Sequence, residues 1–308
     1  MGTELAASVI IPCHGADEFL PLQLEALARQ DGAPPFEVLL VDNGANEDLP
    51  GLADRWRVQL PNVRIIDATA RRGTGYARNV GIGAARAPLL LFCDCDDVVM
   101  PEWVRLGVLQ LGRHPVFSGG AVPVTDELCR QGWKAAVDHV GPHEDVPDGL
   151  PLSGTSTYPI LMGCSFGITA ELARRLGGFD LSFGSQGEDN DLAFRIVASG
   201  LTLPDAGPVC IAYRCRIRPD SFRRGMSIAR SHALLCARHH AWASSPAYQG
   251  HWLLRPLRTV ALIATGRRPP RWREDLGRQV GLILGRVRFV LLGAPRPHLA
   301  IGIGNAVN

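Results

Sequence analysis

The chain has 308 residues, 46% apolar and 20% charged, which is enough to bury a large core and argues against disorder. Its net charge of +2 hides an asymmetry: residues 251–308 carry ten Arg against only Glu274 and Asp275, so the first 250 residues are net acidic. Eight Cys occur without a C-x-x-C pair, which disfavours a zinc knuckle or disulfide framework and predicts small buried apolar groups in a reducing cytosol.

The opening "MGTELAASVIIP" has no basic leader, and "TVALIATG" and "VGLILGRVRFVLLGA" are too short or too broken by Arg for a span of about 20 apolar residues. A cytoplasmic protein is expected. "SVIIP" (8–12) and "FEVLLVD" (36–42) are apolar throughout, as buried parallel strands are. Between them Leu20, Leu24, Leu27 and Ala28 fall at helical spacing, with Gly32 as a stop. A second unit predicts a helix at "EDLPGLADRW", a strand at "VRIIDA", a helix at "GYARNVGIGAARA" and a strand at "PLLLFCD". Such alternation predicts an open α/β sheet with ligands beyond the carboxyl ends of its strands, where Asp42 and Asp94 fall.

From about residue 116 the pattern loosens, and the stretch at 138–158 predicts a long surface loop. A helix is expected at 170–176, stopped by Gly177 and Gly178, and another at "GEDNDLAFRIVASG", whose acids suit the positive end of the helix dipole. Beyond about 221 the chain reads as helical and Arg-rich.

In "LLLFCDCDDVVMPEW", a buried strand runs into Asp94, Asp96 and Asp97. Desolvating ionised carboxylates costs several kcal/mol each, roughly, unless they are compensated. A hard divalent cation, Mg²⁺ or Mn²⁺, held by one or two carboxylates with substrate phosphates and water, removes that cost. The plainer reading is that Asp97 caps the next helix, which accounts for one acid of the three.

The ordered set "SVIIPCHG", "VLLVDNG", "RRGTGYARNVGIGAARAPLLLFCDCDDVVMP", "GCSFGITAELARRLGGFD" and "GEDNDLAFR" resembles the inverting glycosyltransferases of family 2 over residues 8 to about 195. The resemblance implies a GT-A fold: an α/β, Rossmann-like mixed sheet flanked by helices, with a C-terminal helical extension. Residues 1–220 would form the catalytic domain, 1–115 binding the nucleotide-sugar and 116–220 supplying the acceptor and base half; 221–308 would form the extension. The implied activity is metal-dependent, inverting, hexosyltransferase-like transfer from a UDP- or dTDP-sugar to a hydroxyl acceptor.

By the same resemblance, Pro12 and His14 begin the donor site and Asp42 contacts the base. Gly73 and Arg78, with Asn79, run beside the diphosphate. Asp94 and Asp96 match the D-x-D pair, Asp96 nearer the metal and Asp94 nearer the ribose. Asp189 is the expected general base, with Glu188 as runner-up and Asp191 pointing elsewhere once the helix has begun. Tyr213 and Arg214 stand where many relatives place a His as a third metal ligand, so that ligand is not assigned; Arg214 or Arg216 would neutralise the phosphates directly, or His232 would approach from the next helix. Each assignment has a plainer reading: Asp42-Asn43-Gly44 is an ordinary turn sequence, Arg78 can pair with a surface acid, and acids at 188–191 also suit a helix start.

Trp133 and Tyr158 fit either sugar stacking or core packing, and His139 and His143 fit solvated loop positions. The tail suits packing on the catalytic domain or in a homodimer, and also peripheral contact with the inner membrane face; a nucleic-acid module is not recognisable. Arg richness with Lys134 as the one Lys points to a GC-rich bacterium, compatible with envelope-glycan or natural-product assembly. The rival readings are a sugar nucleotidyltransferase, which usually has a Gly-rich basic loop after its first strand, and a non-catalytic nucleotide-sugar binder.

Overall fold

Four apolar runs up to Cys93 become parallel strands. They are β1 (Ala7–Cys13), β2 (Phe36–Asp42), β3 (Val63–Asp67) and β4 (Leu89–Cys93), joined by α1 (Leu20–Ala28), α2 (Leu49–Trp56) and α3 (Thr74–Ala84). β1, β2 and β4 are buried through both faces, and β3 is a half-buried edge strand. In β1, Val9 and Ile11 pack with Leu24 and Leu27 of α1, whereas Ile10 faces the opposite layer with Val80 of α3. The computed structural model describes residues 4–15, 18–141, 157–184, 186–216 and 218–301.

The chain continues through β5 (Val98–Val99), α4 (Trp103–Leu111), β6 (Val116–Val124), α5 (Asp126–Arg130), α6 (Trp133–Val140), β7 (Ser165–Thr169), α7 (Ala170–Arg175), α8 (Glu188–Ala198) and β8 (Asp205–Arg214). Among the described residues the strands form one mixed sheet in the order β3-β2-β1-β4-β7-β6-β8-β5. β3, β2, β1 and β4 run parallel, and β7 is antiparallel to both β4 and β6. The chain builds outward from β1 to β3 and then crosses to β4 on the other side of β1. That reversal opens a crevice beyond the carboxyl ends of β1 and β4.

The loosened pattern expected from residue 116 is corrected here: 116–140 forms a long strand and two helices. Gly119, Gly120 and Pro123 conceal β6 in the sequence, yet both glycines are needed. A Cβ on Gly119 would run into Ser165 and the Val209 carbonyl, and one on Gly120 into the Gly207 carbonyl. The expected loop over 138–158 begins after Val140, and 142–156, with His143, lie outside the described residues. Seven of the eight cysteines are buried as expected; Cys215 is exposed.

The helical tail is present as α9 (Phe222–Arg238), α10 (Arg255–Ala264) and α11 (Trp272–Leu292), with short 3-10 turns at Pro246–Tyr248 and Trp252–Leu254. α9 and α11 meet along a seam of small residues: a Cβ on Gly281 would lie 2.7 Å from Ala229 Cβ, and one on Gly285 2.5 Å from Ala233 Cβ. After α11 the chain returns to the α/β part, where Leu181 N donates to the His298 carbonyl at 2.9 Å.

Close approach also fixes α3 on the sheet. A Cβ at Gly81 would meet Ile10 Cγ2 at 2.5 Å and Val41 Cγ2 at 3.2 Å. Gly81→Val should therefore overpack this layer and lower stability by about 1–3 kcal/mol, read as a drop of several degrees in Tm. An unchanged Tm would mean that α3 does not rest on β1 as described.

Candidate active site

The crevice at the β1/β4 reversal opens into a cleft of about 1560 Å³. Pro12, near the end of β1, and His14, just after it, line it. His14 holds the Asn43 carbonyl at 3.1 Å through Nδ1 and Arg72 Nη2 at 2.7 Å through Nε2. Asn43 organises the adjoining wall. Its Nδ2 donates to the carbonyls of Ala68 (2.5 Å) and Arg71 (2.7 Å), and its Oδ1 accepts from Gly73 N at 2.7 Å. Gly73 has φ 142°, a backbone conformation that favours glycine, and it starts α3 against the cleft.

Asp42, expected to contact a base, is placed differently from its neighbour. Its carboxylate accepts from Gly44 N (3.0 Å) and Asn46 Nδ2 (2.6 Å), so it builds the turn, while Asn43 lines the cleft.

Arg78 on α3 is buried at the cleft floor and joins its two walls. It donates to Asp94 Oδ1 at 3.1 Å, to Glu188 Oε1 at 3.3 Å and to the Gly163 carbonyl at 2.8 Å. Burial opposes its charge, but Asp94, Glu188 and Asp189 outweigh burial and keep the guanidinium protonated. The surface-pairing reading of Arg78 is excluded by its 3% exposure.

Asp94 keeps about a third of its side chain open to the cleft. Burial, with Asp96 nearby, raises its pKa against the pull of Arg78. Asp96 is held by arginines: Oδ2 accepts from Arg214 Nε (3.1 Å) and Nη2 (2.8 Å) and from Arg216 Nε (2.7 Å). Asp97 does not cap α4, whose N-cap is Glu102. Its Oδ1 instead accepts from Arg214 N at 2.8 Å, while its Oδ2 is buried without a hydrogen-bond partner among the described residues. Burial pushes the Asp97 carboxyl well up, and Asp94 and Asp96 add to this.

The opposite wall is the start of α8. Glu188 is buried against Arg78, its Oε2 has no hydrogen-bond partner among the described residues, and burial raises its pKa to about 7, with Asp189 adding to the rise. Asp189 is half-buried, lines the cleft and accepts from Asn190 N at 2.7 Å. Its pKa is raised by burial, with Arg78 opposing. A Cβ on Gly163 would stand 2.7 Å from Asp189 Oδ2, so glycine there lets the segment before β7 come close to the carboxylate. Asp191 turns away, accepting from His239 Nε2 (2.9 Å) and Arg195 Nε (2.8 Å).

Other candidates lie elsewhere. His232 bonds Tyr158 Oη (3.1 Å) and Ser245 Oγ (2.7 Å), and burial lowers its pKa to about 4, so it is a neutral packing residue of α9. Tyr158 packs edge-on to Phe194, and Trp133 lies beneath Arg29 on α1. His139 is on α6. The sequence reading missed Asn43, Gly163 and the Arg71-Arg72 pair; only the Arg pair, immediately before Gly73, carried a visible signal.

Five carboxylates, Asp94, Asp96, Asp97, Glu188 and Asp189, thus gather around Arg78, Arg214 and Arg216. The surplus negative charge, the raised pKa values and the orphaned oxygens of Asp97 and Glu188 suit an added cation. Among the described residues no three Asp, Glu, His or Cys side chains form a ready cage. The fit is therefore to a hard cation using one or two protein carboxylates and completed by phosphate oxygens.

The sequence model described as Glycosyl transferase family 2 matches residues 8–168. An uncharacterized glycosyltransferase of Haemophilus influenzae is 26% identical over 196 residues, covering 62% of this chain and 61% of that relative's own length. Two solved structures share the fold. S. aureus TarS in complex with UDP matches with TM-score 0.54 at 16% identity, covering 93% of this chain and 92% of that one. The mannosyltransferase PcManGT from Pyrobaculum calidifontis, in complex with GDP-Man and Mn²⁺, matches with TM-score 0.58 at 18% identity, covering 94% and 88%.

The raised pKa of Glu188 has a consequence for stability. Between its ordinary value of 4.5 and about 7 the native state keeps a proton that the unfolded chain has lost, so stability falls as pH rises through this window. Glu188→Gln removes this dependence. The Tm of the wild type should fall relative to that of the variant by a few degrees from about pH 5 to about pH 8; a constant difference would show that Glu188 ionises normally.

Proposed function

The chain belongs to glycosyl transferase family 2, and from that premise we propose that it moves a sugar from a UDP- or dTDP-linked donor to a hydroxyl acceptor, with inversion at the anomeric carbon. One observation carries the reading: Asp94 and Asp96 on one wall and Asp189 on the other face a single cleft, joined by Arg78. In this reading residues 1–220 carry the reaction and 221–308 form an extension.

Asp189 would accept the proton of the acceptor hydroxyl as its oxygen bonds to the anomeric carbon and the bond to the donor's diphosphate breaks. Its partial exposure supports this role over Glu188, which is buried and tied to Arg78. Asp94 and Asp96 would hold Mg²⁺ or Mn²⁺, which supplies electrostatic neutralisation of the leaving diphosphate. A solved neighbour with Mn²⁺ and GDP-Man supports divalent-metal use. Arg214, near where many relatives place a His, and Arg216 would share the diphosphate charge once Asp96 Oδ2 is released from them. The neighbour bound to UDP supports a uridine donor. Asp42 already accepts from Gly44 N, Asn46 N and Asn46 Nδ2, so a base contact would use the remaining lone pair of its Oδ2. The acceptor is read as an envelope glycan or natural product, on composition alone.

Two variants test the roles separately. Asp189→Asn should bind donor as the wild type does and release nucleoside diphosphate about 10²–10⁴-fold more slowly. Asp96→Ala should abolish the Mn²⁺-dependent part of donor binding in calorimetry. Near wild-type turnover of a folded Asp189→Asn would place the base elsewhere, and release of pyrophosphate would point to a nucleotidyltransferase.

A further inference from the structure

Globular helices normally turn their apolar stripe inward. α10 is reversed. Its buried residue is Thr259, whose Oγ1 bonds Gln279 of α11 at 3.1 Å. On the far side, Leu257 and Val260 recur at helical spacing with Ala261 and Ala264, and are 67% and 50% exposed. Leu253 and Leu254, on the preceding turn, are each 56% exposed. Arg286 stacks on Trp252 at 5.2 Å, which sets the start of α10 beside the last turns of α11, where Leu284, Val287 and Leu291 are also exposed.

The charge around this face is of one sign. Residues 251–273 contain six Arg and no Asp or Glu. Arg255, Arg258, Arg267 and Arg268 are exposed on α10 and just beyond its end. The nearest acid, Glu274, is buried and already paired with Arg271 and Arg278. Two copies of this face would bring like charges together, which disfavours a symmetric contact between them. An anionic bilayer complements both features: headgroup phosphates take the guanidinium groups, and the acyl boundary takes the leucines. Among the described residues no helix is long and apolar enough to cross a membrane, so the contact would lie on the surface.

We propose that α10 and its flanking turns form an anionic-lipid docking surface, with Leu253, Leu257 and Val260 entering the interface and Arg258, Arg267 and Arg268 binding headgroups. This stands independently of the reaction read from the cleft. It also orients the search for an acceptor toward molecules presented at such a surface.

Flotation of the full chain with vesicles tests it. Phosphatidylcholine vesicles doped with phosphatidylglycerol should carry the protein upward at low salt, and pure phosphatidylcholine at least about tenfold less. High salt should weaken the binding. The pair Leu257→Asp and Val260→Asp should abolish flotation, and Arg267→Glu with Arg268→Glu should lower it about tenfold or more. Both pairs are exposed, so their Tm and nucleotide release in solution should match the wild type. Failure of the wild type to float, equal flotation on both vesicle types, or indifference to the Arg reversals would overturn the proposal. So would a solution dimer broken by the Asp pair when flotation does not respond to it, because the face would then be an interface between copies.

Discussion

The site depends on one buried cation. Arg78 brings Asp94, from the end of β4, and Glu188, from the start of α8, to one guanidinium. Without that charge the acids of the cleft would repel each other across a poorly solvated floor, and the charged form of each would be harder to sustain. The next residue of α3 extends the tie: Asn79 donates to the Phe179 carbonyl at 2.8 Å and accepts from Phe179 N at 2.7 Å. Two consecutive side chains of a helix from the first half therefore hold 163, 179 and 188 from the second. The two walls of the cleft keep their spacing because a single helix, itself seated closely on β1 through Gly81, grips both.

A second charged cluster sits at the mouth. Asp96 shares one oxygen with two arginines, and Arg214 also spans to Asp126 and stacks over Phe19 at 4.0 Å. Buried pairs of this kind gain little net stability, because desolvation offsets most of the attraction. Under the proposed reading their value is electrostatic preorganisation, with cations beside the carboxylates where a diphosphate would develop charge. The same residues would then take the place of the His expected from the resemblance. Arg214 reaches Asp96 from the end of β8, and its backbone nitrogen caps Asp97.

Much of the first half was legible because its signals are local. β1 to β4 and α1 to α3 follow from apolar runs and helical spacing, and the position of Asp94 and Asp96 follows from where β4 ends. The second half was less legible. β6 carries Gly119, Gly120 and Pro123 for contacts with β7 and β8 that no local pattern records, so a strand read as loose chain. Asp42 and Asn43 exchanged expected prominence for a similar reason. Either can form a turn, and only the fold shows that Asn43 receives the carbonyls and amide of 68–73. Asp191 needed only the start of α8 to be placed away from the cleft, whereas its partner His239 lies on the distant tail. The tail's Arg excess was visible at once, but the outward direction of its leucines was not, because a helical period does not say which side meets the protein.

The most direct measurement is a crystal structure of the chain with an unhydrolysed UDP-sugar and Mn²⁺. The diphosphate and metal should lie against Asp94 and Asp96, with Arg214 or Arg216 turned onto phosphate oxygens and the anomeric carbon facing Asp189. Density for the diphosphate away from the β4 end, with Arg78 still bridging the two walls, would contradict the central claim that this bridge assembles a sugar-transfer site.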